Sequence, residues 1–247
     1  MAAAAAAGRR TGAHDKVVRR CICVAALAFV ASAAISACGS VQTDPATTTP
    51  VTFGYTVTAA VTTTVPEPTA TTYIGPQAVD IETGPFLAPA VTTPLGKIID
   101  GIQCNPLRQL AYRAYVHLQI YVRGSSRALP GGIGMVDPNA RVTDNGLVFN
   151  AQTCYYWLHT SAADGVIAVE SPRSRRFTLG DFFAVWNQRL SPNAVAGETG
   201  RVTALVNGKP WHRSPRLIPL TEHAQIELAV GKPVPAYRPI DWSVTTL

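Results

Sequence analysis

Between residues 41 and 73 the chain places thirteen threonines and four prolines (Pro45, Pro50, Pro66 and Pro68) among few large apolar side chains. Such a stretch cannot bury enough apolar surface to offset the entropy of ordering it. Any folded core must therefore lie elsewhere. Residues 74–97 keep the same character, with Pro76, Pro85, Pro89 and Pro94, so 38–97 reads as a disordered linker. Thr/Pro-rich tracts of this kind suit O-glycosylation in exported proteins. At Ile98 the composition changes. All four tryptophans (157, 186, 211 and 242) lie beyond it, and residues 98–247 suffice for one hydrophobic core.

Residues 1–37 have the parts of an export signal. Arg9, Arg10, Lys16, Arg19 and Arg20 precede an apolar run from Cys21 to Ala34. That run is shorter than the ~20 residues needed to span a bilayer. It ends in Ile35-Ser36-Ala37-Cys38, which resembles the lipobox of bacterial lipoproteins. The resemblance implies cleavage before Cys38, a lipid thioether and fatty acylation there, and a mature chain tethered to the outer face of the cytoplasmic membrane. An uncut signal anchor is the alternative.

Processing changes the bookkeeping. The formal charge is +6, but residues 1–37 hold five bases and one acid, so their loss leaves about +2. No basic stripe with interleaved aromatics is present, so no nucleic-acid partner is expected. Cys21 and Cys23 leave with the signal and Cys38 takes lipid, which leaves Cys104 and Cys154. In an oxidising compartment the pair predicts one disulfide closing a loop of about 50 residues, worth roughly 3–4 kcal/mol. Two unpaired buried thiols are the alternative.

The folded part reads as α+β: a mainly antiparallel β-sheet with one or two short helices. From Gln109 the segment Leu110-Ala111-Tyr112-Arg113-Ala114-Tyr115 looks helical and passes into a strand. Over 115–122, Val116, Leu118, Ile120 and Val122 alternate with Tyr115, His117, Gln119 and Tyr121, which marks one buried face. Residues 127–129 read as a returning strand and 131–134 as a glycine-rich loop. Further strands are expected at 153–159, 166–170, 201–206 and 226–230. Thr178-Leu179-Gly180-Asp181 has the form of a capping box opening a short helix. Asn207-Gly208 predicts a type I′ turn. Residues 117–130 and 202–219 share a strand–turn–exit pattern that fits either a duplicated unit or ordinary hairpins.

Two blocks carry a second resemblance. Residues 154–172 read C-Y-Y-W-L-H-T-S-A-A-D-G-V-I-A-V-E-S-P, and 178–183 read T-L-G-D-F-F. Residues 98–247 resemble a family of exported bacterial domains with the motifs Y-H-x-H-x-H-L, C-x-Y-W-L-H-T-H-D and G-x-I-H-I-E-S-P. The resemblance implies histidines on one strand face, a plausible transition-metal arrangement. Here Arg113 and Tyr115 replace the first two histidines and His117 remains. His159 also remains, while Ser161 and Ala168 replace others. The chain thus reads as a degenerate member that kept the fold and lost the metal.

The functional expectation is a lipid-anchored cell-envelope lipoprotein with a non-catalytic binding domain and no cofactor. Its partner would be the membrane through the anchor, together with an envelope protein or wall polymer. Arg173-Ser174-Arg175-Arg176 is a candidate contact for anionic polymers. The alternative is a zinc- or copper-binding exported domain using His117, His159 and Glu170. No G-x-S-x-G, S-x-x-K or H-E-x-x-H motif occurs. His212 and His223 are expected at the surface.

Overall fold

The computed structural model of the chain describes residues 72–90, 96–245 and 247. The export signal, Cys38 and the threonine-rich tract up to residue 71 lie outside the described residues. Among the described residues no helix is long and apolar enough to cross a membrane.

The fold is β-dominated with one α-helix. β1 (Thr72–Ile74) and β2 (Asp80–Glu82) form a small antiparallel hairpin. β3 (Tyr112–Val122) is the long central strand. β4 (Met135–Thr143) and β5 (Gly146–Tyr156) form a long hairpin, to which Cys104–Asn105 adds as a third strand. Then come β6 (Leu158–His159), β7 (Val166–Ser171), α1 (Leu179–Val185), β8 (Val202–Val206) and β9 (Gln225–Val230). The seven-stranded main sheet runs Lys209–Pro210, β8, β9, β3, β7, β6, with Ser125–Arg127 also paired to β3. Its pairings are antiparallel except β9 on β3, which is parallel.

Alternation on β3 divides the sheet into two faces. Ala114, Val116, Leu118, Ile120 and Val122 point into the main core with Ile167 and Val169 of β7 and Ile226 and Leu228 of β9. Opposite them pack Phe182, Phe183, Val185 and Trp186 of the helix. The helix begins as expected: the Thr178 side chain accepts from Asp181 N, and the Asp181 carboxylate accepts from Thr178 N at 2.8 Å. Asn207 and Gly208 both take positive φ (50° and 74°), the geometry of the I′ turn.

Three expectations are corrected. Residues 72–90 belong to the folded part and are not linker. Val79 and Ile81 are buried against Val166, and the Trp186 indole donates to the Pro89 carbonyl at 2.8 Å. The helix-like segment after Gln109 is strand from Tyr112, because β7 pairs with it residue by residue from Tyr112↔Ser171 to His117↔Val166. The strand expected at 153–159 is two strands. The chain turns between sheets at Trp157, whose indole N–H donates to Asn105 Oδ1 at 2.8 Å.

The β4–β5 hairpin was unreadable in its first half. Pro138 and Asp137 argue against a strand. The structure accommodates them with a bulge between Val136 and Pro138, where Asp137 has φ 51°. Before it, Gly134 (φ 72°) is a close approach: a Cβ there would lie 2.1 Å from the Leu158 carbonyl oxygen. Cys104 and Cys154 are disulfide-bonded, with Cα atoms 5.4 Å apart.

Candidate functional site

The second face of the main sheet is polar, yet it is buried. Alternation places Tyr115, His117, Gln119 and Tyr121 on this face of β3. The parallel register sets Gln225 beside His117 and Glu227 beside Gln119. The β1–β2 hairpin and the C-terminal segment 237–245 lie over it. Val79, Ile81 and Val166 form a small apolar cluster there with Tyr115, Ile240 and Leu247. Between these layers is a cleft of about 320 Å³ lined by His117, Gln119, Tyr121, Gln225, Glu227, Glu82 and Arg238, among others.

Side-chain hydrogen bonds hold the cover in place. The Gln225 amide oxygen accepts from the Tyr237 hydroxyl (2.8 Å) and Ile240 N (2.9 Å), and its nitrogen donates to the Arg238 carbonyl. Gln119 donates to Ser126 Oγ at 2.8 Å, and Ser126 donates to the Glu82 carbonyl at 3.0 Å. Asp164, 1 % exposed, accepts from Val166 N. The Gln77 amide nitrogen, oriented to satisfy both groups, lies 3.1 Å from both Asp164 carboxylate oxygens. Asp164 thus pins the β1–β2 turn, and burial raises its pKa to about 6.

The cleft is electrostatically unsettled. His117 is 3 % exposed, and neither ring nitrogen has a side-chain partner. Burial lowers its pKa to about 4, with the Asp164 backbone pulling the other way, so the ring is neutral at neutral pH. Glu227 is equally buried, and its Oε1 is unpartnered. Burial, then the neighbouring Glu82 charge, raises it to about 7. Burial, then Glu82 and Glu227, also pushes the Tyr121 phenol up. Arg238 Nε stands 3.4 Å from Glu82 Oε1.

Glu170 and His159 belong to a different cluster. Arg108 Nε donates to Glu170 Oε2 at 2.7 Å, and its Nη2 donates to Oε1. His159 Nδ1 lies 3.0 Å from the Tyr156 carbonyl, so that nitrogen carries the proton. Its Nε2 is 3.7 Å from Glu170 Oε2. Burial lowers the His159 pKa to about 4, with the Glu170 charge opposing and Arg108 assisting.

The structure does not bring His117, His159 and Glu170 together as a ligand set. His159 pairs with Ala168, whose neighbour on β3 is Tyr115 and not His117. Two strand spacings of ~4.8 Å, plus an offset along the strand, separate the two histidine backbones. Glu170 is already committed to Arg108. Among the described residues no three His, Cys, Asp or Glu side chains gather as a metal site. Arg175 is also occupied within the fold. It lies 4.6 Å over the Phe177 ring and donates to the Asp100 and Gly101 carbonyls. Arg173 and Arg176 are exposed, as are His212 and His223, the last stacked on Trp242.

Sequence reading missed Glu82, Gln119, Tyr121, Gln225, Glu227 and Arg238. For Gln119, Tyr121, Gln225 and Glu227 the signal was polar residues alternating with an apolar face in β3 and β9, a pattern that also fits a solvent-exposed sheet face; Glu82 and Arg238 carried none.

The buried titrating groups predict an unusual acid profile. His117 and His159 titrate lower folded than unfolded, so their contribution to stability rises with pH from about 4 to 6.5. Asp164 and Glu227 titrate higher folded, so theirs falls as pH rises through about 6 and about 7. The two slopes oppose each other. The Asp164→Asn/Glu227→Gln variant will therefore gain stability relative to the parent as pH rises from 4.5 to 6.5, on the order of 1–2 kcal/mol per pH unit. Melting temperatures across that range check this; parallel curves for variant and parent would refute it. No protein-family model matches the chain, and no curated protein or solved structure matches it either.

Proposed function

We propose that the chain is a lipid-anchored cell-envelope protein whose α+β domain, carried on a Thr/Pro-rich linker, binds a small polar ligand in the cleft over the sheet. The observation that carries the binding reading is His117: a nearly fully buried imidazole with no side-chain partner, in the wall of a cleft beside Glu227, whose Oε1 is unpartnered. Buried polar groups ordinarily find hydrogen-bond partners, and an exception in a cavity is what a ligand would satisfy. The lining is rich in hydrogen-bond acceptors, with Glu82, Glu227, Asp80 and Asp241 around one guanidinium, which suits a bound polar molecule. The anchor reading is supported by Ile35-Ser36-Ala37-Cys38 after a short apolar run.

The test is a thermal-shift panel on the full chain in detergent: monosaccharides, amino acids, diamines, dicarboxylates, zinc and copper. One organic class should raise the melting temperature of the parent and leave His117→Leu unmoved. No shift with any class, or the same shift in His117→Leu, would sink the reading. A zinc or copper shift lost in both His117→Leu and His159→Leu would favour the metal alternative. In cells, Cys38→Ala should move the protein from the membrane fraction to the soluble fraction; retention in the membrane would refute the lipid anchor.

A further inference from the structure

A buried carboxylate and a half-buried one face each other in the cleft with too little positive charge to answer them. Glu227 is 3 % exposed and the Glu82 side chain 12 % exposed. They come from opposite walls, β9 and β2, and a hydrogen bond links the Tyr121 phenol to Glu82. Asp80 and Asp241 add two more carboxylates at the mouth, against the single guanidinium of Arg238. Arg238 is 59 % exposed and directs its Nε to Glu82. Glu227 lines the same cleft with one buried oxygen that has no partner, and His117 stands beside it with its ring packed against Gly165.

Desolvating like charges together is costly, and an opposite charge relieves it. His117, neutral at neutral pH, adds no repulsion to a bound cation. The acceptors do not gather for a metal ion, since no three-residue ligand group forms among the described residues. They are spread around a space of about 320 Å³, the scale of a small organic molecule.

Resting on the cleft-binding reading, we infer that the ligand is a small organic cation, whose ammonium or guanidinium group sits between Glu227 and Glu82 and donates to both carboxylates. Binding is then coupled to the proton held by Glu227. The groups facing that carboxyl are Glu82 and Asp80 from β2, Tyr121 and His117 from β3, and Arg238, Tyr237 and Asp241 from the C-terminal segment. Among these Glu82 is the charge that raises Glu227. A bound cation reverses that influence, so Glu227 releases its proton on binding.

The experiment is isothermal titration of the full chain in detergent with three molecules of one length: 1,5-diaminopentane, 1,5-pentanediol and glutarate. The diamine should bind at least about tenfold more tightly than the diol, the gain of one charge-assisted hydrogen bond. Its affinity should rise from pH 6 to pH 8, and at pH 7 its heat should vary with the ionisation heat of the buffer. Glu227→Gln preserves shape and removes repulsion, so it should fold, lose about tenfold in diamine affinity and lose the proton release. Diol or glutarate binding as tightly as the diamine, lost in His117→Leu, would overturn the cation assignment and leave cleft binding standing. Diamine binding that Glu227→Gln leaves intact overturns the assignment too. A chain that binds none of the three, and none of the wider panel, overturns both.

Discussion

Replacing Cys104 and Cys154 together with alanine will destabilise the domain by about 4 kcal/mol, from the chain-entropy cost of freeing a 50-residue loop. The loop it closes holds β3, β4 and most of β5, so the unfolded chain without the bond gains freedom across the centre of the fold. In the native state the bond fastens the short strand Cys104–Asn105 to β5, where Cys104 pairs with Tyr156. The same short strand holds Trp157 through Asn105 and leads directly to Arg108. Urea unfolding of oxidised parent and double variant measures the difference through the midpoint at matched slope. A midpoint unchanged between the two would refute the estimate, and reduction of the parent should reproduce the variant.

Removing Arg108 should cost nearly as much. Arg108→Met leaves Glu170, 1 % exposed, as a buried carboxylate without its cation. Breaking such a pair costs ~3–5 kcal/mol when both partners are buried. The Arg108 side chain is 40 % exposed, so water screens part of the interaction, and about 2–3 kcal/mol is the discounted expectation. The companion variant Arg108→Met/Glu170→Met should recover most of that loss, because it removes the uncompensated charge along with its partner. The single variant should also raise the His159 pKa. Arg108 acts to lower it and Glu170, 3.7 Å from Nε2, acts to raise it. Chemical denaturation gives the stabilities, and imidazole titration by NMR gives the pKa. A single variant no weaker than the double, with His159 unmoved, would show that Arg108 is only a surface pairing.

The sequence made local structure legible wherever one short segment carried its own instruction. The Thr178–Asp181 capping box, the Asn207-Gly208 turn and the alternation on β3 each depend on neighbours a few residues away. Each appears as read. The disulfide was legible by elimination once the other three cysteines were assigned to the signal and the lipid. The Pro138 strand was not, because a bulge that tolerates Asp137 and Pro138 depends on the partner strand β5. His117 and His159 were named from the sequence, but their separation was not. Strand order decides which residues share a row, and His159 shares its row with Tyr115.

What the sequence alone determined is that a core forms beyond Ile98 and which side of each strand faces it; that residues 72–90 join it was not legible. The core and its strand faces follow from apolar periodicity and from the inability of a Thr/Pro tract to bury surface. Whether the opposite face meets water or another layer was decided only by the tertiary structure. Gln119, Tyr121, Gln225 and Glu227 are polar, and alternation alone reads them as solvated. The hairpin at 72–82 and the segment at 237–245 close over them from distant parts of the chain. That closure buries Glu227 beside Glu82 and leaves His117 without a side-chain partner. No local pattern encodes it, because the contacts join segments whose positions depend on the whole sheet being in place.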